Sequence, residues 1–427
     1  METNYYLCID LKSFYASVEC VERGFDPMTT NLVVADPERS DKTICLAVSP
    51  SMKALGVKNR CRVFEIPKNI DYIMAVPRMQ KYIDYAAKIY SIYLRYFSKD
   101  DIYVYSIDEC FLDVTHYLKL YGKNAREMAL FLMDAISSEV GVRATAGVGT
   151  NLYLTKIALD IMAKHAPDFI GELDEESYKR KLWDYRPIKD FWRIGKGIAQ
   201  RLERLGIYTM RHIAECDEDI LYKEFGVDAE LMIDHAWGRE PVTMADIKAY
   251  KPSTNCISMG QVLMRDYTVE EGRTIVKEMA IQSCLDLTAK HIVTHSVTIY
   301  VGYAKGSAFG GEKGTVRFEE PISADSVIVP AVVRLYDYIM KPGEMIRRIY
   351  VNCNNTVPAP EHRYIQTSLF DTPLALKPEV QERDEDIQEA VVSIKKRFGA
   401  NAILRGMDLK EEATAMERND QIGGHKK

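Results

Sequence analysis

The 427-residue sequence has no CxxC pair, no HExxH motif, no internal repeat and no low-complexity tract. Its nine cysteines are scattered along the chain, which argues against a zinc site or a disulfide framework and favours reduced thiols. No apolar run reaches the ~18 residues of a membrane span. The N-terminus lacks the basic segment and the small-residue cleavage site of a signal peptide. The sequence therefore predicts a cytoplasmic protein with no membrane partner.

A strong excess of charge of either sign is also missing. The net charge is −6, with 47% hydrophobic and 28% charged residues, and this composition is typical of a globular protein. The mild acidity argues against a surface that binds nucleic acid everywhere, although it leaves room for a local basic channel. Single cores rarely exceed about 250–300 residues, so we expect more than one domain.

The apolar patterns divide the chain into three regions and a polar end. Strand-like and helix-like segments alternate over 1–165, which predicts an α/β sheet unit. The pattern over 173–238 is helical throughout. Residues 245–355 predict the order β-α-β-β-α-β, which is the ferredoxin-like arrangement. Beyond 356 the sequence turns polar, with one predicted helix at 380–398.

Two adjacent acids, Asp108 and Glu109, lie inside the apolar segment YVYSIDECFLD at 103–113. Burying an unpaired charge costs several kcal/mol, so these acids need a partner. The segment predicts a hairpin or strand pair with the acids at its bend, and Asp10 ends another predicted strand. Carboxylate oxygens suit Mg²⁺ or Mn²⁺ better than zinc. From the residues alone, a catalytic metal site and a structural ion-paired cluster are equally good interpretations.

The segment DLKSFYASVE at 10–19, followed by YSIDECFLD at 105–113, resembles the motifs of the Y-family (translesion) DNA polymerases. The resemblance is strongest to the UmuC subfamily and its Gram-positive bacterial members, whose pattern D-x-N-S-F-Y-A-S-x-E differs here only at Lys12. It covers nearly the whole chain. It implies a multidomain α/β and α+β right-hand polymerase with these parts: a ferredoxin-like palm (1–20 and 76–168), small fingers (21–75), a helical thumb (169–240), a β-α-β-β-α-β little finger (245–355) and a flexible tail (356–427).

The same resemblance implies a metal site. Asp10, Asp108 and Glu109 would hold two Mg²⁺ ions, with Mn²⁺ as a possible substitute and the backbone carbonyl of Leu11 as a further ligand. One ion would lower the pKa of the primer 3′-hydroxyl, and the other would bind the triphosphate and stabilise the leaving pyrophosphate.

The resemblance also implies nucleotide-binding residues. Tyr15 matches the steric gate, whose ring lies under the sugar where a 2′-hydroxyl would clash, and Phe14 lies beside it. SPSMKALGVK at 49–58 and KIALDIMAK at 156–164 are similar to phosphate-binding segments that end in, or contain, a lysine. They imply that Lys53 and Lys164 contact the triphosphate. Because both segments depart from the usual family pattern, solvated surface lysines are the alternative.

The segment FWRIGKGIAQRLERLGIYT at 191–209 contains the I-G-x-G-I core of a helix-hairpin-helix. Its glycines would let backbone N–H groups approach a DNA phosphate without reading the sequence; a tight interhelical turn is the alternative. The residues expected to contact DNA are Gly195, Lys196 and Gly197 in the thumb and Arg265, Arg317 and Arg347 in the little finger, with Lys305 and Arg348 as further candidates.

QTSLF at 366–370 resembles the peptide by which bacterial polymerases bind the sliding clamp, usually Q-L-[SD]-L-F. Leu369 and Phe370 would fill an apolar groove, Gln366 would supply hydrogen bonds, and Ser368 completes the motif.

The function implied is template-directed, error-prone DNA synthesis past lesions in the DNA-damage (SOS) response, with primer–template DNA and dNTPs as substrates. One alternative is a catalytically weak DNA-binding accessory factor that needs a UmuD-like protein and a recombinase filament. Another is a nucleotidyl cyclase with a related palm, which would not explain the hairpin or the clamp peptide.

Overall fold

The computed structural model describes residues 3–38, 40–252, 255–359 and 378–427. The chain divides into two compact units, Met1–Tyr250 and Lys251–Lys427. The strands of the first unit are β1 (Tyr6–Leu11), β2 (Leu32–Val34), β3 (Ala47–Val48), β4 (Ile73–Ala75), β5 (Ile102–Val104), β6 (Glu109–Asp113), β7 (Ala144–Gly149) and β8 (Ile170–Leu173). Its helices are α1 (Phe14–Val21), α2 (Pro50–Ala54), α3 (Met79–Leu94), α4 (Thr115–Tyr121), α5 (Ala125–Val140), α6 (Leu152–Ile157), α7 (Glu175–Leu182), α8 (Lys196–Arg204), α9 (Met210–Ala214), α10 (Glu218–Phe225), α11 (Asp228–Trp237) and α12 (Met244–Ala249).

The main sheet of the first unit has the strand order β5-β6-β1-β7-β8. Its central strand, β1, is apolar on both faces, and Leu7, Cys8 and Ile9 are fully buried. β1 pairs antiparallel with β6 and β7, and β7 pairs parallel with β8. Because β1 and β6 run antiparallel, the acid near the end of β1 and the acids at the start of β6 lie at the same end of the sheet.

A second, smaller sheet has the order β3-β2-β4 and lies within the segment predicted as fingers, 21–75. It has a hydrophobic core of its own, which includes Val33, Val48 and Met52. The N-terminus of α2 is capped by Ser49, whose side chain accepts a hydrogen bond from the Met52 N–H.

The helices that follow β8 correspond to the predicted thumb, but the predicted boundary at residue 169 lies too early. β8 belongs to the main sheet because it pairs with β7. The change from strand to helix comes at Asp174, whose side chain accepts from the N–H of Ser177 and caps α7. The helical segments then pack around a core that includes Tyr178, Phe191 and Leu202.

The predicted start of the little finger, residue 245, is also displaced. α12 belongs to the first unit, since Met244 packs in a cluster with Tyr6 and Phe111 of the main sheet. The second unit begins at Lys251, and its first strand at Cys256.

The second unit contains the strands β9 (Cys256–Tyr267), β10 (Ile292–Tyr303), β11 (Gly311–Ile322), β12 (Ile346–Asn354), β13 (Val357–Pro358), β14 (Gln421–Ile422) and β15 (His425–Lys426). Its helices are α13 (Val269–Ala289), α14 (Asp325–Ile339), α15 (Pro378–Phe398) and α16 (Ala415–Asn419). Residues 256–354 follow the predicted order β-α-β-β-α-β and form an antiparallel sheet, β11-β10-β12-β9. Val297, Ile299 and Val301 of β10 are fully buried in a core with α13 and α14, and the alternate residues point to the opposite, open face.

Residues 378–427 are folded, which departs from the expected flexible tail. Gln388 of α15 is 2% exposed; its Oε1 accepts from the Asp325 N–H at 2.8 Å and its Nε2 donates to Thr288 Oγ1 at 2.8 Å. Further along, the Thr414 N–H donates to Glu278 Oε2 at 3.1 Å. Polar side chains thus attach residues 378–427 to α13 and α14. The polar composition of this segment did not predict that attachment. Among the described helices of both units, none is long and apolar enough to cross a membrane.

Candidate active site

Three acidic residues, Asp10, Asp108 and Glu109, come together in the backbone where β1 ends and β6 begins. Asp10 of β1 is the direct register partner of Glu109 of β6, and the Leu11 N–H donates to the Asp108 carbonyl at 2.9 Å. Asp108 occupies the turn between β5 and β6, where Ser106 Oγ donates to its Oδ1 at 2.6 Å. The predicted hairpin with acids at its bend is therefore present, and the bend brings both neighbouring acids to the end of β1.

The electrostatics of Asp10 reflect this crowding. Burial, followed by the charges of Asp108 and Glu109, raises the pKa of Asp10 to about 7, and Lys164 and Lys156 act in the opposite direction. The nearby lysines therefore do not offset the effect of burial and of the two neighbouring acids on the pKa of Asp10. Oxygen donors around such a group are suited to a hard divalent cation.

Glu109 has a partner that sequence reasoning missed. Lys156 Nζ lies 2.7 Å from its Oε1 and 2.8 Å from its Oε2, and the Cys8 thiol donates to Oε1 at 3.1 Å. Cys8 and Asp10 lie on one face of β1 because side chains alternate along a strand, so the Glu109 carboxylate leans along β1 and away from its end. In this arrangement no three His, Cys, Asp or Glu side chains of the described residues are grouped closely enough to hold a metal ion.

The residues nonetheless fit a metal in their chemistry. The carboxylates of Asp10 and Asp108 and the Leu11 carbonyl form an all-oxygen donor set at a partly open edge. A cleft of about 330 Å³ opens beside Asp108, and it is lined by Asp108, Glu109, Leu11 and apolar side chains of α3 such as Ile83 and Tyr90. Glu109 would join this set of oxygen donors if its carboxylate left the ion pair with Lys156.

Positive side chains surround the acids. The pKa of Lys53 is lowered, mainly by burial; the charge of Asp10 acts against this shift and that of Lys164 adds to it. Lys53, Asp10 and Lys164 are therefore close enough to influence one another. The Lys164 Nζ lies 3.4 Å from Asp160 Oδ1. The pKa of Lys12 is lowered by burial and then by Lys53. The Lys12 Nζ lies over the Phe169 ring, 3.7 Å from its centroid, so Lys12 is a cation in the neighbourhood of Lys53.

Tyr15 and Phe14 have different environments. Phe14 is 3% exposed and lies in the core, so of the two predicted residues only Tyr15 reaches the site. The Tyr15 ring is stacked on that of Tyr82, with centroids 4.4 Å apart and an interplanar angle of 15°. Burial and then the charge of Asp108 raise the pKa of Tyr15. Tyr82 itself is fully buried, and its hydroxyl donates to Glu19 Oε1 at 2.8 Å.

The predicted thumb hairpin has an accessible backbone. Gly195 is the N-cap of α8, which begins at Lys196. A Cβ placed on Gly195 or Gly197 would meet nothing within 4 Å, and Ile194 anchors the turn in the core. This is an exposed helix N-terminus of the kind that accepts a phosphate.

The predicted DNA-contacting arginines of the second unit fall into two groups. Arg265 is paired with Glu271 at 2.6 Å, and Arg347 with Asp266 at 3.3 Å. Arg317 instead lies on an outer strand of the open sheet face, and within the described residues it has no ion pair shorter than 4 Å. Its register partner is Ser296.

The open face carries no acid at the paired positions of its four strands. It comprises Ser258, Gly260 and Val262 of β9, Arg348, Tyr350 and Asn352 of β12, Thr298, Tyr300 and Gly302 of β10, and Lys313, Thr315 and Arg317 of β11. Tyr350 lies over Gly260, where a Cβ would come within 2.5 Å of the ring. The face is therefore rich in hydrogen-bonding groups, and its basic residues are Lys313 and Arg317 on the edge strand β11 and Arg348 on the inner strand β12. The clamp-like residues Gln366, Ser368, Leu369 and Phe370 lie outside the described residues.

Comparison with known proteins agrees with this architecture. Residues 9–160 match the impB/mucB/samB family and residues 255–369 match the impB/mucB/samB family C-terminal domain. UvrX of Bacillus subtilis (strain 168), a protein named for UV-damage repair, is 30% identical over 425 residues, which are 98% of this chain and 97% of UvrX. DNA polymerase IV 2 of the same organism is 30% identical over 435 residues, which cover 100% of both chains.

Among solved structures, a Y-family DNA polymerase chimera superimposes with a TM-score of 0.65 and 21% sequence identity, covering 83% of this chain and 99% of the chimera. The fold is thus that of the Y-family DNA polymerases, as the sequence motifs indicated. The chain belongs to the impB/mucB/samB family. Membership of the UmuC subfamily within it stays a prediction.

Proposed function

We propose that this chain is a DNA-directed DNA polymerase that synthesises DNA past template lesions, in the cytoplasm, as part of the DNA-damage (SOS) response. The observation that carries the proposal is the pairing of Asp10 with Glu109 beside Asp108 in a chain of this family. The relatives named DNA polymerase IV and UvrX support the same function.

Asp10, Asp108, Glu109 and the Leu11 carbonyl would hold two Mg²⁺ ions, or Mn²⁺ in their place. When bound, such ions activate the primer 3′-hydroxyl and neutralise charge on the triphosphate. The chain's own contribution is to gather these oxygens at one sheet edge. The raised pKa of Asp10 supports a cation there, because a cation would relieve the repulsion among the acids.

The cations around the acids would bind the incoming dNTP. Lys53 and Lys164, together with Lys12, would contact its phosphates as point charges. Tyr15 would lie under the sugar as the steric gate, and its stacking on Tyr82 supports a fixed ring position.

Primer–template DNA would be held without reading its sequence. In this proposal the main sheet is the palm, the small sheet the fingers, α7–α11 the thumb, and residues 256–354 the little finger. The exposed backbone at Gly195, Lys196 and Gly197 would bind phosphates. The open face, whose paired positions carry no acid and include Arg317 and Arg348, would lie against the duplex backbone.

The peptide at 366–370 would dock on the sliding clamp. Deleting these residues should abolish stimulation of synthesis by the clamp and leave basal primer extension unchanged. Clamp stimulation that persists after the deletion would refute this part of the proposal. A UmuD-like protein and a recombinase filament are further partners that the proposal includes, and adding them tests whether they raise activity.

A primer-extension assay tests the central proposal. Full-length protein, Mg²⁺ and dNTPs should extend a primer on undamaged and lesion-containing templates, and Asp108→Ala should lose this activity while keeping the DNA affinity that the wild type shows without divalent cations. Extension by Asp108→Ala at the wild-type rate would overturn the mechanism. DNA binding without any extension, with clamp and accessory proteins present, would favour the accessory-factor alternative.

A further inference from the structure

The carboxylate of Glu109 is oriented by groups outside the proposed chemistry. Lys156 contacts both of its oxygens, and the two side chains are only 7% and 10% exposed. Lys156 is in turn held by Asp160 Oδ2 at 3.1 Å. A buried pair of this geometry fixes a rotamer, because either partner alone would be an uncompensated charge. The direction in which Glu109 points therefore depends on where Lys156 lies.

Tyr105 connects Lys156 to the turn that carries the acids. The Lys156 Nζ lies 5.6 Å from the centroid of the Tyr105 ring, within the range of a cation–π contact. The backbone N–H of Tyr105 donates to the Glu109 carbonyl at 3.0 Å. Tyr105 thus contacts both the lysine and the backbone of the residue that the lysine holds.

The other side of Tyr105 meets Trp192. The indole Nε1–H donates to the Tyr105 hydroxyl at 3.1 Å, and the two rings pack edge to face with centroids 6.1 Å apart. Trp192 directly precedes the hairpin at 194–197. It also stacks on His235 of α11 at 6.1 Å and 22°, and His235 stacks on Tyr153 at 3.9 Å. Trp192 therefore lies between the acid-bearing turn and the thumb helices.

We infer that Lys156, Tyr105 and Trp192 are positioning residues that link the thumb hairpin at 194–197 to the orientation of Glu109. Binding of DNA phosphates at the hairpin would shift Trp192, and this shift would be passed through Tyr105 to Lys156. The inference rests on the proposed function, since it takes Glu109 as a metal ligand and the hairpin as a DNA contact. DNA binding at the hairpin should in this way favour the binding of divalent cations by Glu109. Coupling between two sites is reciprocal, so divalent cations should in turn tighten DNA binding.

The coupling can be measured without turnover. The affinity of full-length protein for a fluorescent primer–template is determined by anisotropy with and without Ca²⁺, at constant ionic strength and without dNTPs. We expect Ca²⁺ to tighten DNA binding about five-fold or more in the wild type, and not in Asp108→Ala.

Tyr105→Phe removes the acceptor and Trp192→Phe removes the donor of the linking hydrogen bond. Each should lower the coupling, and the double variant should lower it no further than either single one.

Two matched controls exist on the same segments. Tyr103→Phe removes an identical atom two residues from Tyr105, and Trp183→Phe removes an indole that donates instead to the Ala236 carbonyl. Both should keep the wild-type coupling. Unchanged coupling in folded Tyr105→Phe and Trp192→Phe would overturn the inference, as would an equal loss in Tyr103→Phe. If the wild type extends primers without any coupling, the inference fails and the proposed function stands; absence of both extension and coupling overturns both.

Discussion

Lys156 Nζ lies 2.7 Å from Oε1 and 2.8 Å from Oε2 of Glu109, and both side chains are nearly buried. Replacing the lysine would leave Glu109 without its counter-charge beside Asp10 and Asp160. Removing one member of a buried pair typically costs about 3–5 kcal/mol. We therefore expect Lys156→Met to lower the free energy of unfolding by about 3 kcal/mol in EDTA, measured by urea denaturation.

The same variant should gain more from divalent cations than the wild type. Any ligand that binds only the folded protein stabilises it according to its affinity, and Lys156→Met no longer competes for Glu109. Mn²⁺ should therefore raise the melting temperature of Lys156→Met more than that of the wild type. Lys156→Arg keeps the charge and serves as the control. Equal stabilisation of all three proteins by Mn²⁺ would contradict the competition between Lys156 and a metal.

Asp10 predicts a pH dependence of stability. Its pKa is raised from 3.8 to about 7 by burial and then by Asp108 and Glu109. Between these pH values the folded protein binds more protons than the unfolded chain, so the metal-free protein should lose stability as pH rises from 4 to about 7. Unfolding free energies in EDTA across this interval would measure the loss.

Asp10→Asn should flatten that slope, because it removes the titrating group. Asp113→Asn is the control, since Asp113 is another acid of the same sheet and accepts from the Thr115 N–H. Stabilisation by Mg²⁺ should grow between pH 6 and pH 8, because the cation binds the ionised carboxylate. A slope that is the same in wild type and Asp10→Asn would show that other groups cause it.

The sequence predicted the meeting of Asp10, Asp108 and Glu109, because strands with apolar cores must place their polar ends at a sheet edge. It did not predict Lys156. A lysine at the start of an apolar helix segment has no pattern that distinguishes a buried ion pair from a solvated side chain. The register of this segment was further obscured by a π-helical turn at Ala158–Met162, which follows α6.

The folded state of 378–427 was likewise hidden from pattern reasoning. The segment buries few large apolar side chains, and its attachment depends on Gln388 and Thr414, whose partners lie 63 to 136 residues away in the chain. Polar contacts of this kind become visible only when both partners are placed. The same holds for Arg265 and Arg347, whose acidic partners cannot be distinguished by sequence from other nearby acids.

Tyr15 should control the choice of sugar. Its ring is held by Tyr82, 4.4 Å away, so it cannot easily yield to a 2′-hydroxyl. A steric conflict of about 1–3 kcal/mol corresponds to about 5–150-fold discrimination. Tyr15→Ala should raise the ratio of ribonucleotide to deoxyribonucleotide incorporation by this factor, measured in single-nucleotide extension. Tyr15→Phe keeps the ring and should keep the discrimination; an unchanged ratio in Tyr15→Ala would exclude the gate.

Gln388 should contribute to the stability of the second unit. Its amide satisfies the Asp325 N–H and Thr288 Oγ1 at a buried position. An unsatisfied buried polar group costs about 1–3 kcal/mol, so Gln388→Ala should lower the free energy of unfolding by about 2 kcal/mol. Glu389→Ala changes the exposed neighbour on α15 and should have little effect. Equal stability of the two variants in urea would mean that α15 is not held by this contact.

The arginines of the second unit should differ in their effect on DNA binding. Arg317 and Arg348 lie on the open face, at paired positions that carry no acid, whereas Arg265 and Arg347 are each paired with a carboxylate. A lysine or arginine that contacts a phosphate contributes close to one unit to the slope of log affinity against log salt.

Arg317→Ala and Arg348→Ala should each weaken DNA binding and reduce this slope by about one. Arg265→Ala and Arg347→Ala should change the slope less, because a paired arginine must first leave its acid before it can contact a phosphate. Anisotropy titrations over a range of NaCl concentrations would measure all four. If the paired arginines reduce the slope as much as the open-face ones, the duplex contacts the β9–α13 edge of the unit and not its open sheet face.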